Sequence, residues 1–219
     1  MRNQFFFQIN VSEEQVNLAN ELVDYSIKNH PVEDIFAKDP NGKERQKEFR
    51  FTGTLGEIVF ADAYGLPRPT RSFGAIGGQD FGQDFSLSVN GNDNSFDIKS
   101  MFRKNDSFRT NYVLNIPAYQ MRRENVITDY YFCISIHKQE NSYIASFLGY
   151  VSKDEIEKGV VGILYKAGTQ RVKDDGGTFT FQRDTYEIDF DDITTPIVTP
   201  LIQKMAGYVQ KTLLPPYKS

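Results

Sequence analysis

Two side chains of opposite charge alternate on one short segment of the chain. In the sequence SFDIKS, residues 95–100, Asp97 and Lys99 are separated only by Ile98. Because successive side chains of a β-strand point to opposite faces, a strand here holds the carboxylate and the ammonium group side by side. The apolar side chains between them then anchor the opposite face. The segment therefore predicts an acid–lysine pair on a strand that is buried on one side.

A predicted hairpin brings a second carboxylate towards this pair. Residues 84–89 (DFSLSV) alternate in polarity, and the Asn-Gly dipeptide at 90–91 is a strong turn signal. When the chain folds back at this turn, Asp84 approaches the far end of the partner strand, near Asp97. Asp80 is a rival, because the sequence GGQDFGQDF offers Asp-Phe twice. Asp84 is favoured because it directly opens the alternating strand.

Acidic side chains together with a lysine suit the hydrolysis of phosphodiester bonds. Glu57, in the predicted helix LGEIVFADAYG, offers a further carboxylate, and the backbone carbonyl of Ile98 is another oxygen donor. Mg²⁺ takes hard oxygen ligands and few protein carboxylates, which leaves positions for water and a phosphate oxygen. Such an ion polarises the phosphoryl group and lowers the pKa of a bound water. A lysine holds the attacking water or neutralises charge on the transition state.

In this order of elements the sequence resembles the PD-(D/E)xK nuclease superfamily, which includes restriction endonucleases and many repair and phage nucleases. The matching residues are Glu57 on a helix, Asp84 at a strand start, and Asp97 and Lys99 on the next strand. One departure is Gln83, which replaces the proline of the motif before the first acid. The resemblance covers about residues 50–195, but its specific part is these four matching residues.

The resemblance implies a metal centre and a fold. Asp84 and Asp97 would bind Mg²⁺ (or Mn²⁺), Glu57 would support metal binding, and Lys99 would assist the attacking water. The implied fold is α/β and restriction-endonuclease-like: a mixed central β-sheet flanked by helices, here with extra C-terminal strands and a helix. The implied activity is metal-dependent hydrolysis of DNA, as an endonuclease, with RNA left open as a substrate.

A different class of function stays open beside the nuclease. A degenerate member of the same fold would bind nucleic acid or a protein partner without cutting it. The intact set of two acids and a lysine argues against this alternative, because a binding protein has no need to place a lysine among carboxylates. Exonuclease action, sequence specificity and homodimer formation are likewise left open.

Basic residues flank the proposed centre and are candidates for contacts with nucleic acid. Their alternative interpretation is an ordinary solvated surface. The net charge of −4 is weak evidence against a nucleic-acid binder, although a metal-dependent nuclease must also carry acidic ligands. The candidates are Arg68, Arg71, Arg103, Lys104 and Arg109.

Composition excludes several other classes. A single cysteine, Cys133, rules out an intramolecular disulfide, and two histidines are too few for most zinc enzymes. His137 ends a predicted strand beside a turn and is expected to face solvent. No apolar run approaches the ~18–20 residues that span a bilayer. The first residues meet Glu13 and Glu14 too soon for a signal peptide, so we expect a cytoplasmic protein without a membrane partner.

The order of predicted elements indicates a single domain over residues 1–219. Its core would cover about residues 50–150, with a helix at 12–29 and C-terminal strands and a helix within 160–214 as elaborations. Ser12 with Gln15 three residues later is a capping-box signature for the first of these helices. Residues 33–48 are predicted as a polar loop, a second helix from about Thr54, and a last helix over 200–214. Strands are predicted at 5–10, 84–89, 95–101, 112–116, 129–137 and 143–151, with further strands between 164 and 189.

Overall fold

A computed structural model describes the chain over residues 5–29, 42–70, 84–89, 91–103, 112–122, 127–172 and 177–212. Some residues singled out in the sequence lie outside these ranges. They are Asp80, Arg71, Lys104 and Arg109.

A six-stranded mixed sheet forms the centre of the fold. Its strand order is β11-β1-β6-β5-β3-β2; β3 and β5 run parallel, and the other neighbours run antiparallel. The sharpest local prediction, the hairpin of β2 and β3, is confirmed, and Gly91 takes the positive φ of 82° that its turn requires. The six strands are β1 (Phe5–Val11), β2 (Phe85–Val89), β3 (Asn92–Arg103), β5 (Tyr130–Lys138), β6 (Tyr143–Ser152) and β11 (Val209–Thr212).

Two long helices cover one face of this sheet: α1 (Glu13–Asn29) and α2 (Gly42–Tyr64). The predicted capping box opens α1, since the Gln15 side chain accepts from the Ser12 backbone N–H at 2.8 Å and the Ser12 hydroxyl accepts from the Gln15 N–H at 3.2 Å. Helix α2 buries Leu55 and Ile58 in one core cluster with residues of β1, β3, β5 and β6. The helices therefore fix which face of β3 is apolar.

A second layer of strands covers the opposite face. A three-stranded sheet, β4-β10-β7, contributes Leu114, Ile116 and Ile188 to a second core cluster, together with Tyr131 and Cys133 of β5. The result is an α/β fold whose central mixed sheet lies between helices and a smaller sheet. The remaining elements are β4 (Val113–Pro117), α3 (Ala118–Met121), α4 (Lys153–Glu157), β7 (Ile163–Tyr165), β8 (Gln170–Val172), β9 (Thr178–Thr180) and β10 (Thr185–Asp189).

The structure corrects the predicted bounds of two helices. The helix predicted over 200–214 is wrong: Ile202–Lys204 is a single 3₁₀ turn, and Val209–Thr212 is strand β11, paired with β1. Helix α2 begins at Gly42, inside the predicted polar loop, rather than near Thr54. The strand predicted at 5–10 is present as β1, and it lies between β11 and β6.

Candidate active site

Strand β3 divides its side chains between the two layers. Phe96 and Ile98 are 1% and 6% exposed and pack in the core cluster on the helix side. Asp97 and Lys99 point to the other face, where the Lys99 Nζ lies 2.8 Å from Asp97 Oδ2. Their side chains are only 16% and 19% exposed, respectively. The acid–lysine pair predicted from the alternation is therefore present and largely shielded from solvent.

The Lys99 ammonium group has further contacts on this face. Gln120 of α3 accepts a hydrogen bond from Lys99 Nζ through Oε1 at 3.1 Å. The ring of Tyr131 on β5 lies below the same ammonium group, with 5.5 Å between Nζ and the ring centroid. An ammonium group at this distance from an aromatic face is attracted by the ring quadrupole. These contacts restrict the lysine to a small region beside Asp97.

Asp84 lies immediately before β2 and is held against β3 by two hydrogen bonds, one from its backbone and one to its side chain. Its backbone N–H donates to the Phe96 carbonyl at 2.8 Å. Its Oδ2 accepts from the Ile98 N–H at 2.6 Å, so the carboxylate lies beside the peptide that joins Asp97 to Ile98. The hairpin thus brings Asp84 to the segment of β3 that contains Asp97. The rival residue, Asp80, is not among the described residues.

Tyr131 occupies the strand position next to Asp97. The parallel register of β3 and β5 pairs Asp97 with Tyr131, so both side chains lie on the same face of the sheet. The residue is 1% exposed, and its hydroxyl has no hydrogen-bond partner within the described part of the chain. Burial, followed by the negative charges of Asp97 and Glu157, raises the pKa of this phenol above its usual value. The hydroxyl therefore stays protonated at working pH.

Glu57 belongs to α2, which packs against the opposite face of β3 from Asp97 and Lys99. The preceding residue, Gly56, touches Ser100: a Cβ at Gly56 would lie 1.7 Å from the Ser100 Oγ. Glu57 itself is half-buried beside this close approach. The helix turn that carries Glu57 therefore lies beside Ser100, at the end of the Asp97–Lys99 segment, but on the opposite face of β3.

The described residues contain no group of three or more histidine, cysteine, aspartate or glutamate side chains arranged to hold a metal ion. Of the residues predicted to bind a metal, Asp84 and Asp97 both place their carboxylates at β3. A pair of carboxylates matches the small protein ligand set that Mg²⁺ uses together with waters and phosphate.

Arg68 is held by carboxylates of the two long helices. Its guanidinium contacts Asp62 through Nε at 2.7 Å and Nη2 at 2.9 Å, and Glu14 through Nη1 at 2.5 Å. Gln15 donates to the same Asp62 carboxylate at 2.6 Å. The hydrogen bonds to Asp62 and then to Glu14 raise the pKa of Arg68. This network joins α1 to α2, and it gives no support to the predicted role of Arg68 in binding nucleic acid.

Arg103 is also engaged within the protein. Its guanidinium carbon lies 4.0 Å from the centroid of the Tyr112 ring, and Nη2 donates to the Val113 carbonyl at 3.3 Å. Burial lowers the pKa of this arginine. The contacts tie the end of β3 to the start of β4, and they leave the predicted role of Arg103 in nucleic-acid binding without support.

Sequence reasoning missed Gln120 and Tyr131. Gln120 is separated from Lys99 by twenty-one positions, and Tyr131 meets Asp97 only through the non-local pairing of β5 with β3. A period-two pattern assigns Tyr131 to the same face as Cys133, but it does not reveal which strand lies alongside. His137 is a further correction: it was expected to face solvent and is completely buried.

Comparison with known proteins adds no family assignment: no protein-family model, no curated protein and no solved structure matches this chain. None of the helices in the described ranges is long and apolar enough to cross a membrane.

Proposed function

We propose that this protein is a Mg²⁺-dependent nuclease that hydrolyses DNA phosphodiester bonds at a centre of the PD-(D/E)xK type. The observation that carries the proposal is the approach of Asp84, Asp97 and Lys99 at strand β3. Asp84 accepts from the Ile98 N–H at 2.6 Å, and Lys99 lies 2.8 Å from Asp97. The proposal includes a restriction-endonuclease-like fold, which the mixed α/β sheet allows without requiring.

Asp84 and Asp97 would hold the metal ion, because both carboxylates lie at strand β3. A bound Mg²⁺ supplies a Lewis acid for the phosphoryl oxygen and lowers the pKa of a coordinated water. Glu57 is proposed as a further acid that supports metal binding. Glu57 lies on α2, which packs on the opposite face of β3. The loss of cleavage rate in Glu57→Gln, compared with that in Asp97→Asn, separates a direct ligand from a supporting residue.

Lys99 would hold the attacking water or neutralise charge that develops on the phosphoryl oxygens. Its ammonium group is restricted by Asp97, by the Gln120 Oε1 at 3.1 Å and by the Tyr131 ring. Groups oriented before the reaction need little reorganisation in the transition state, which is the main source of electrostatic catalysis. In the hydrolysis, water forms the new P–O bond, and the bond to one of the two flanking sugar oxygens breaks.

The experiment that tests the proposal is incubation of the purified protein with supercoiled, linear and single-stranded DNA and with RNA. Each substrate is tested with Mg²⁺, with Mn²⁺ and with a chelator. We expect metal-dependent cutting of DNA by the wild type and no cutting by Asp97→Asn prepared in the same way, which excludes a contaminating nuclease. Nicking of supercoiled circles identifies endonuclease action, since circles have no ends. Binding of DNA without cutting under any metal would instead support the degenerate binding protein.

A further inference from the structure

We propose that Tyr131 is a further catalytic residue, whose buried hydroxyl donates a hydrogen bond to a non-bridging oxygen of the scissile phosphodiester. This inference rests on the proposed nuclease function, and it adds to that function a residue that the acid–lysine motif does not contain. It is carried by the position of the side chain, by its unsatisfied hydroxyl and by the charges around it.

The position follows from the sheet register. Asp97 on β3 pairs with Tyr131 on β5, and Tyr131 pairs in turn with Val151 on β6. Strands in a sheet lie about 4.8 Å apart, so the phenol is the immediate neighbour of the Asp97 carboxylate on the same face. The contact of Lys99 Nζ with the ring, 5.5 Å from its centroid, places the tyrosine directly beside the proposed catalytic ammonium group.

The Tyr131 hydroxyl is a donor that a water or a bound molecule would have to satisfy. A buried donor that lacks an acceptor costs roughly 1–3 kcal/mol, and most buried polar groups in native proteins are satisfied. Tyr131 is 1% exposed, yet among the described residues its hydroxyl oxygen finds no hydrogen-bond partner. The neighbouring Lys99, in contrast, has partners, because its ammonium group contacts both Asp97 and Gln120. An acceptor supplied by a bound molecule would satisfy the phenol.

The charges around the phenol define what it can do. A tyrosine phenol has an ordinary pKa of about 10, so near neutral pH the group keeps its proton and acts as a neutral donor rather than as a base. Lys153, whose Nζ lies 4.0 Å from Glu157 Oε1, adds a second ammonium group on the α4 side. Phosphoryl oxygens carry negative charge and accept hydrogen bonds without donating them. An oxygen of this kind, placed between the phenol and Lys99, is therefore the ligand chemistry that these donors match.

The test is Tyr131→Phe, which removes the hydroxyl and keeps the ring under Lys99. Tyr130→Phe is the matched control, because Tyr130 precedes it on β5 and stacks on Phe96 on the helix side, with ring centroids 5.3 Å apart. Three quantities are measured for each protein. They are single-turnover cleavage of saturating DNA with Mg²⁺, DNA affinity with Ca²⁺ in place of Mg²⁺, and the midpoint of thermal unfolding.

We expect the cleavage rate of Tyr131→Phe to fall about 10²-fold, the usual effect of losing one donor to a developing oxyanion. DNA affinity should change less than about threefold, because the bond strengthens mainly in the transition state. The melting temperature should stay equal or rise, since an unsatisfied polar group has been removed. Tyr130→Phe should cut at the wild-type rate.

Other outcomes separate this inference from the function on which it rests. If the wild type cuts DNA and Tyr131→Phe cuts equally fast, the inference is wrong and the nuclease proposal stands; the hydroxyl is then satisfied by an ordinary water. An equal loss of rate in both tyrosine variants would also overturn it, because it would point to packing of β5. If the wild type cuts nothing, both proposals fail together.

Discussion

Lys99 is the residue whose removal separates chemistry from binding most clearly. Its ammonium group is fixed by Asp97 at 2.8 Å and by Gln120 at 3.1 Å, where it can act on the attacking water or the transition-state phosphate. We expect Lys99→Ala to lower the cleavage rate by about 10²–10⁴-fold, the range for electrostatic and acid–base groups. DNA affinity with Ca²⁺ should change much less, because interactions made chiefly in the transition state raise turnover rather than binding.

The matched control for this variant is Lys158→Ala. Lys158 follows the last residue of helix α4 and forms an exposed ion pair with Asp154 at 2.7 Å. Both substitutions remove one positive charge, so a general loss of attraction to DNA would affect them equally. Substantial cleavage by Lys99→Ala would remove the lysine from the mechanism.

Glu187 is a second titratable residue that should have a measurable signature. It is 6% exposed on β10, pairs with Arg171 at 2.7 Å, and its Oε2 has no hydrogen-bond partner in the described ranges. Desolvation raises its pKa more than Arg171 lowers it. Desolvation lowers the pKa of Arg171, but Glu187 and Tyr165 raise it by more, so the pKa of this arginine rises overall. The Glu187 carboxyl is more deeply buried than the Arg171 guanidinium, which makes desolvation the larger effect on its pKa.

The raised pKa of Glu187 makes stability depend on pH in a defined direction. Between the ordinary pKa of glutamate, about 4.3, and the higher pKa in the folded state, the folded protein binds more protons than the unfolded chain. The free energy of unfolding must therefore fall as the pH rises through this interval. In Glu187→Gln this fall should be absent. The measurement is urea unfolding at a series of pH values from about 4 to 7, with wild type and variant compared at each.

Asp184→Asn provides a control of opposite sign. Hydrogen bonds from Lys166 and then from the Ala167 N–H lower the pKa of Asp184. Its contribution to stability is thus present above the ordinary pKa and is lost as the pH falls through the folded-state pKa. For this variant the unfolding series is therefore extended below the ordinary aspartate pKa of about 3.9. Parallel pH profiles for wild type and Glu187→Gln would mean that Arg171 compensates the burial of Glu187 completely.

At the residue scale, the parts of the site predicted from sequence are those that follow from local geometry. Alternation along one strand placed Asp97 beside Lys99, and a two-residue turn brought Asp84 to them. Tyr131 could not be predicted, because its meeting with Asp97 depends on which strand lies next to β3. Arg103 was predicted to bind nucleic acid, yet its guanidinium lies on the Tyr112 ring. Charge in the sequence does not indicate whether a neighbour within the fold already uses it.

At the scale of elements, the closest approach of α2 to β3 depends on one glycine. A Cβ at Gly56 would lie 1.7 Å from Ser100 Oγ and 2.7 Å from Ser100 Cβ, so the helix or the strand would have to move. We expect Gly56→Ala to destabilise the fold, since overpacking costs about 1–3 kcal/mol and exceeds the gain of up to about 1 kcal/mol in helix propensity. The free energy of unfolding in urea measures the difference.

Gly53, one turn earlier on α2, is the matched control. A Cβ there meets nothing within 4 Å, so Gly53→Ala should gain helix propensity without a clash. Opposite signs for the two variants are the expected result. If Gly56→Ala also stabilises the protein, the contact of α2 with Ser100 is looser than these distances indicate. The position of Glu57 beside the end of the Asp97–Lys99 segment must then be revised.

The elements that sequence patterns located wrongly are those with long-range partners. Residues 200–214 carry a plausible helical pattern, but β11 forms there because it pairs with the edge of β1 in register from Phe5 with Thr212 to Gln8 with Val209. Gly207, at a φ of 71°, lies between the 3₁₀ turn and this strand and ends any helix. Non-local pairing thus overrides local propensity.

At the scale of the whole molecule, the class of fold was predictable while its topology was not. The alternation of helical and strand patterns indicates an α/β domain, and the six-stranded sheet with α1 and α2 on one face agrees with it. The insertion of β1 between β11 and β6 could not be read from periodicity. Strands β1 and β11 are far apart in sequence and pair within the sheet that carries Asp97 and Lys99. Unfolding of this sheet would therefore also disrupt the site.

Because the proposed metal site is part of the central sheet, we expect a divalent metal that binds there to stabilise the whole protein. Asp97 lies on β3, and the Asp84 carboxylate binds the neighbouring Ile98 N–H. A cation that binds both carboxylates only in the folded state raises the free energy of unfolding by mass action. At ten times its Kd the metal contributes about 1.4 kcal/mol. For a chain of this size that corresponds to a rise of roughly 3–6 °C in the melting temperature.

Asp97→Asn should lose most of this rise with Mg²⁺ or Mn²⁺, because it replaces one of the two proposed carboxylate ligands. The shift is measured within each protein, between chelator and metal, since the substitution also weakens the contact with Lys99 and alters the starting stability. Asp154→Asn is the control: it removes an exposed carboxylate paired with Lys158, and it should keep the full response. An equal rise in wild type and Asp97→Asn would place the metal elsewhere on the molecule and remove the metal-binding role assigned to Asp97.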